Sequence, residues 1–233
     1  AVELFVRLGN RDGEARTRRR LAAIREDAGE DEAALAEWDR LRTLCRESGD
    51  GVGELEAAER IVRLLRGRGE TVRALDACRG AASLAASLGR PVREATLRNT
   101  VGIIEWERGE YEAARAEYER ALAALERTDD RVARGLILNS LGVTLSSLGR
   151  HREAAARLES GIAWSRAHGR RRWEAHGLAA LGDARLALGD RDAARDCFRA
   201  SLAIRREIGD RPGERRMLDD LARLASDGDD EGD

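Results

Sequence analysis

The sequence predicts an all-α protein, a right-handed superhelical solenoid of antiparallel helix hairpins with a period of 40 residues. Three observations carry this expectation. Glycines recur at a fixed interval, apolar residues between them recur at helical spacing, and the composition favours helix over sheet. Aromatic residues are 3% of the 233 and prolines number only 2, while Ala, Leu, Glu and Arg dominate. These side chains lose little rotamer freedom in a helix, and proline would interrupt its backbone ladder.

The interval is read directly. Gly29, Gly69, Gly109, Gly149 and Gly189 are evenly spaced, since 69 − 29 = 40 and each later step is equal. Gly9, Gly49, Gly89, Gly169 and Gly209 keep the same interval, with Asp129 standing where that series would place a glycine. Two interleaved series half a period apart mark two helix ends per repeat, because glycine closes a helix in the left-handed region without steric cost. First helices are expected near 12–28, 52–67, 92–107, 132–148, 172–188 and 212–225. Second helices are expected near 30–48, 70–88, 110–128, 150–168 and 190–208.

Residues 1–11 align with the end of a second helix whose first helix is absent; Val2, Leu4, Phe5 and Leu8 form its apolar face. The chain opens on Ala1 and its single methionine is Met217, so a longer parent polypeptide with an upstream domain is expected. The array itself spans 12–225, closed by a terminal helix 212–225 made polar on one side by Arg215, Arg216, Asp219, Asp220 and Arg223. Residues 226–233, rich in Asp and Gly, are expected to be a disordered acidic tail.

Inside the frame, small and large residues alternate in register. Ala34, Ala74, Ala114, Ala154 and Ala194 share one position, and four residues later come Trp38, Cys78, Tyr118, Leu158 and Phe198. Gly102, Gly142 and Gly182 form a further column within first helices. A mid-helix glycine costs about 0.5–1 kcal/mol against alanine, so a close helix approach is expected at each.

Leu141-Gly142, Ala154 and the Ala194–Phe198 pair resemble the Leu-Gly…Ala-x-x-x-Phe signature of tetratricopeptide repeats. The long period resembles the branch found in kinesin light chains, Pins/LGN proteins and bacterial STAND-type regulators. Ile208-Gly209-Asp210-Arg211-Pro212-Gly213-Glu214 is similar to the inter-repeat loops of bacterial members. The resemblance implies a protein-interaction module whose first helices line a concave face that holds a peptide or protein segment. Carried over position by position, it implies that Asn99, Ile103, Trp106, Asn139, Val143, Ser146, Asp183, Arg19 and Arg63 face that groove. Asn99 and Asn139 would grip a peptide backbone, and the alternative is that each bonds a neighbouring helix. Trp106 would anchor the partner or pack on the next first helix. Arg16, Arg19, Arg60 and Arg63 make the first end basic, so acidic residues are expected in the partner there. The family's lysine-rich carboxylate clamp is not expected, since the chain has no lysine.

Other function classes find no support in the residues. His151, His168 and His176 make no metal-ligand spacing with Cys45, Cys78 or Cys197, and no nucleophile, Walker or zinc-protease motif occurs. Neither a catalytic site, a metal nor a cofactor is expected. Charged residues are 37% yet cancel to −2, and Arg18–Arg20 and Arg170–Arg172 lie without aromatic platforms, so nucleic acid is not expected as a partner. No apolar run approaches the roughly 20 residues of a membrane span, and no signal peptide is visible at the start. An odd cysteine count fits reduced cytosol, and arginine without lysine points to a GC-rich bacterial genome. A cytoplasmic interaction or scaffold part of a larger bacterial signalling protein is therefore expected. The alternatives are the ligand-sensing arm of a STAND-type ATPase or transcriptional regulator, and a structural spacer.

Overall fold

The structure, a computed structural model, describes residues 2–128 and 131–229. Among them it contains α-helices and one 3-10 turn, and no strand. In order these are α1 (Val2–Arg7), α2 (Arg11–Asp27), α3 (Asp31–Ser48), α4 (Gly51–Gly67), α5 (Thr71–Ser87), α6 (Pro91–Glu107) and α7 (Tyr111–Ala124). The 3-10 turn Leu125–Arg127 follows, then α8 (Arg131–Ser147), α9 (His151–Ala167), α10 (Arg171–Ala187), α11 (Arg191–Glu207) and α12 (Arg211–Asp229). Each expected helix is present.

The period comes from a helix of 17 residues followed by a three-residue turn, taken twice. The turn is built by glycine. Gly49 sits at φ 78°, where its N–H reaches the Arg46 carbonyl (3.2 Å) and the Asp50 N–H reaches Cys45 (2.9 Å). Those two bonds satisfy carbonyls that the helix end leaves open, and an L side chain would strain the backbone there. All ten glycines of the two series adopt positive φ, and no other residue described does. Asp50 then caps the next helix by accepting the Gly53 N–H at 2.9 Å, as Asp210 does for Gly213 at 3.1 Å.

One turn differs, and it is the one without glycine. α7 stops after 14 residues, Leu125–Arg127 tightens to 3-10, and Thr128 leaves in extended conformation. Without a residue that enters the left-handed region cheaply, the helix end closes by the Thr128 N–H to Leu125 carbonyl bond (3.1 Å) instead. Asp129 itself lies outside the described residues. At the other end α12 runs to Asp229, past the expected boundary at 225, because no proline or left-handed glycine stops it there. The rest of the expected tail, 230–233, lies outside the described residues.

The chain packs as two compact units, Ala1–Ile104 and Glu105–Asp233. In the first, Trp38, Leu41, Leu55, Val62, Leu65, Cys78 and Leu97 belong to a continuous core. In the second, Phe198, Leu202, Met217 and Leu224 form one cluster, and Tyr118, Ile137, Leu141 and Leu158 are also buried. Burying each large aliphatic or aromatic side chain contributes roughly 1.5–3 kcal/mol. All five alanines of the small column are 0% exposed, which shows that this column is a contact seam in every repeat.

The internal glycines are explained by the large column. A Cβ on Gly142 would lie 2.5 Å from Leu158 Cγ, and one on Gly182 would lie 2.4 Å from the Phe198 ring. In the second repeat the sizes are exchanged: Val62 takes the glycine position and Cys78 the large one, and both are buried. Cys78 also donates its thiol to the Leu97 carbonyl at 3.2 Å. The last hairpin departs from this apolar scheme. Arg205 is buried, donating through Nε to Ser201 Oγ (3.1 Å) and through Nη1 to Asp210 Oδ2 (2.5 Å).

The three cysteines are free thiols, with Cys45 and Cys78 buried and Cys197 half-buried. Burial, reinforced by Asp50, pushes the Cys45 thiol up to about 11. Burial also raises Cys197. At pH 8 only about a thousandth of Cys45 is then thiolate, against roughly a quarter of an ordinary thiol. Native protein should therefore react slowly with iodoacetamide, Cys197 first, while urea-unfolded protein alkylates at all three sites. Fast native labelling of Cys45 would contradict its placement in the core.

Candidate binding face

First helices carry the candidate site, and each unit presents its own part. In the first unit, long-range ion pairs join successive first helices. Arg19 Nη2 lies 3.3 Å from Glu56 Oε2, and Arg93 engages both oxygens of Glu59 at 2.8 and 2.5 Å. Glu26 is the hub of a larger group. It accepts hydrogen bonds from Trp38 Nε1 and Arg63, and Arg60 stands 3.6 Å away with its guanidinium 5.6 Å from the Trp38 ring centre. These pairs alter the expected charge of this end. Arg19, Arg60 and Arg63 are held by carboxylates of neighbouring first helices, so the face is far less basic than the arginines alone imply.

Asn99 is buried and Ile103 half-buried. Between α4 and α6 a cleft of about 410 Å³ opens, reached by Glu59, Arg63, Arg66, Thr96 and Thr100. Arg63 is thus an expected site residue that borders this cleft. The sequence reading did not single out Thr96 or Thr100.

In the second unit, Asn139 corrects the expectation of an open, backbone-gripping amide. It is only 6% exposed, and its Nδ2 donates to the Trp173 carbonyl at the start of α10 (3.3 Å). Its side chain occupies space left by Gly161 and Gly177, where a Cβ would come within 2.2 and 3.0 Å of Oδ1. The amide is a strut from α8 to α10, which is the neighbouring-helix alternative. Ser146 is half-buried, with Oγ 3.3 Å from His151 Nδ1 across the turn to α9. Val143 is half-buried and Ser147 exposed.

Trp106 is 37% exposed, its Nε1 3.3 Å from Ser147 Oγ and its ring 6.2 Å from Tyr111. It therefore leans on the next first helix while keeping an open face. Asp183 pairs with Arg216 Nη2 at 2.9 Å, and partial desolvation lifts its carboxyl above the usual range.

The stripe of α8 left partly open is Leu136, Ser140, Val143 and Ser147. Relative to the expected set, two positions have moved on by one residue, about 100° of helix rotation. From Gly135 to Gly149 no residue is charged, in a chain where 37% are. The matching stripes of α4 and α10 carry Glu56, Arg60, Arg63 and Asp183. The fold does not require neutrality at these positions, so it is a property of α8 itself. Among the described residues no group of three or more His, Cys, Asp or Glu is placed to hold a metal ion. No helix there is long and apolar enough to cross a membrane.

Hairpins with paired glycine turns and a small-against-large seam define a helical-repeat fold in each unit. Residues 93–167 and 175–208 each match a tetratricopeptide-repeat family model. Over those residues the chain carries tetratricopeptide repeats, which support a protein-interaction or scaffold module.

No curated protein resembles it closely enough in sequence to count as a relative. Solved structures resemble its fold. BtubC (BKLC) from P. vanneervenii is 21% identical with a TM-score of 0.73, covering 90% of this chain and 88% of its own. A putative kinesin light chain from Podosopora anserina with nearly identical TPR-like repeats is 16% identical with a TM-score of 0.62, covering 83% and 95%. A STAND protein with a tetratricopeptide repeat sensor from Pyrococcus horikoshii is 14% identical with a TM-score of 0.69; the match covers 91% of this chain but 36% of that protein.

Proposed function

We propose that the first-helix face holds an extended segment of another protein, and that the chain is the recognition or scaffold part of a larger bacterial signalling protein acting in the cytoplasm. The open, charge-free stripe of α8 carries this reading. A partner segment laid along Leu136, Ser140 and Val143 buries apolar and hydroxyl groups without stripping water from a charge, which is the costly part of forming an interface. Trp106 stands beside Ser147 at one end of the stripe and offers a large, partly exposed aromatic anchor.

The test is site-specific photo-crosslinking in the source cells. A photoreactive residue at Val143 should capture a discrete protein partner, while the same residue at exposed Val72 on second helix α5 should not. Val143→Arg should reduce affinity for that partner on the order of tenfold, because a guanidinium would have to be desolvated on contact. Capture from Val72 alone would move the interaction to the second helices and end this reading.

A further inference from the structure

The cleft between α4 and α6 combines features that are separate elsewhere on the first-helix face. Its floor is aliphatic, with Val62 and Leu97 both 5% exposed and Val92 half-buried beside them. Its wall is two threonines whose hydroxyls are already engaged within α6. Thr96 Oγ1 donates to the Val92 carbonyl at 2.9 Å, and Thr100 Oγ1 to the Thr96 carbonyl at 3.1 Å. A hydroxyl bonded back to its own helix asks little of a ligand, so the wall behaves as largely apolar surface. At about 410 Å³ the space is at the small end of ligand-sized cavities, suited to side chains and not to a folded element.

The rim supplies charge. Arg93 is matched by Glu59, and Arg63 reaches across to Glu26. Arg66 is exposed and has no ion-pair partner among the described residues. One guanidinium therefore stands uncompensated at the edge of an aliphatic pit. An extended chain that places an apolar side chain in the pit carries its adjacent side chain on the other face, toward the rim.

We propose that this cleft is a subsite for an acidic–aliphatic pair in the partner segment, the aliphatic side chain filling the floor over Val62 and Leu97 and the neighbouring carboxylate pairing with Arg66. The inference rests on the reading that the first-helix face binds an extended segment. It places the partner's acidic residue at one arginine, where the sequence suggested a broadly basic end. A single free guanidinium beside apolar floor suits a carboxylate, and bidentate Arg–carboxylate geometry fixes its register.

The experiment is selection from a random phage-displayed peptide library on the full chain, followed by synthesis of the enriched peptides. The expected result is enrichment of Asp or Glu next to Leu, Ile, Val or Met. Binding should fall on the order of tenfold for Arg66→Glu and for Thr96→Arg, which fills the cleft from an exposed helix position. Replacing the peptide's acidic residue by arginine should restore binding to Arg66→Glu, and far-UV circular dichroism checks that both variants fold. Enriched peptides that lose binding to Val143→Arg but show no acidic–aliphatic pair, or ignore Arg66→Glu and Thr96→Arg, would overturn the subsite and leave the general reading standing. If no peptide is enriched, or enrichment is indifferent to every first-helix variant, both fall.

Discussion

Trp38→Ala is expected to destabilise the first unit by about 3–5 kcal/mol, the range for deleting a large aromatic from a packed core. Trp38 is 1% exposed and is the large member of its seam. Its loss also releases Glu26, to which its indole N–H donates, and removes the ring beneath the Arg60 guanidinium. Trp38→Phe separates the contributions. It keeps most of the packing and should cost only about 1.5–3 kcal/mol, the value of a hydrogen bond to a charged acceptor. Urea unfolding followed by far-UV circular dichroism gives the order. Native-state hydrogen exchange should show the lost protection concentrated in α2–α4. The remaining tryptophans, Trp106, Trp164 and Trp173, all lie beyond Ile104 and report on the second unit separately by fluorescence. An alanine variant as stable as the parent would show that this side chain is not part of the core.

The second large effect is expected at Gly182, and it can be reversed. Gly182→Val would bring side-chain atoms into the Phe198 ring, which a Cβ alone already approaches to 2.4 Å, and overpacking of this kind costs about 1–3 kcal/mol. Phe198→Cys alone leaves a cavity and should cost about 3 kcal/mol or more. The double variant reproduces the Val62 and Cys78 combination found in the second repeat. It should therefore be more stable than the sum of the two losses allows, with a coupling of about 0.5–3 kcal/mol. Purely additive losses would mean that the two columns do not face each other, which would undo the explanation of the internal glycines.

What could be read from the sequence was whatever steric necessity enforces. Gly49 and its counterparts favour glycine strongly, because the left-handed conformation that closes the helix strains most L side chains, and their spacing announced every turn but the one after α7. The single irregular turn, after α7, falls where the series has Asp129. The seam of alanines was equally plain, because tight helix contact tolerates only small side chains. The candidate site was harder, for a geometric reason. One residue along a helix turns the side chain by about 100°, so Asn139 and Ser140 differ between strut and surface although both are polar. No pattern in the immediate neighbourhood separates them. The ion pairs were missed for another reason. Arg19 with Glu56 and Glu26 with Arg63 are each 37 residues apart, and Glu59 with Arg93 is 34 apart. Opposite charges at slightly less than one period are the signal, visible once the repeat register is fixed.

The complementary sizes of facing residues set limits on how such a chain can be shuffled during its history. Val62 with Cys78, Gly142 with Leu158 and Gly182 with Phe198 are each 16 residues apart, within a single hairpin. A genetic crossover at the turn before a first helix moves both members together and leaves the fit intact. One at the turn inside a hairpin would join the valine of one repeat to the phenylalanine of another, or glycine to cysteine, giving a clash or a void. The heritable unit is thus the hairpin that begins with a first helix, and duplications or deletions that persist should start and end on that boundary.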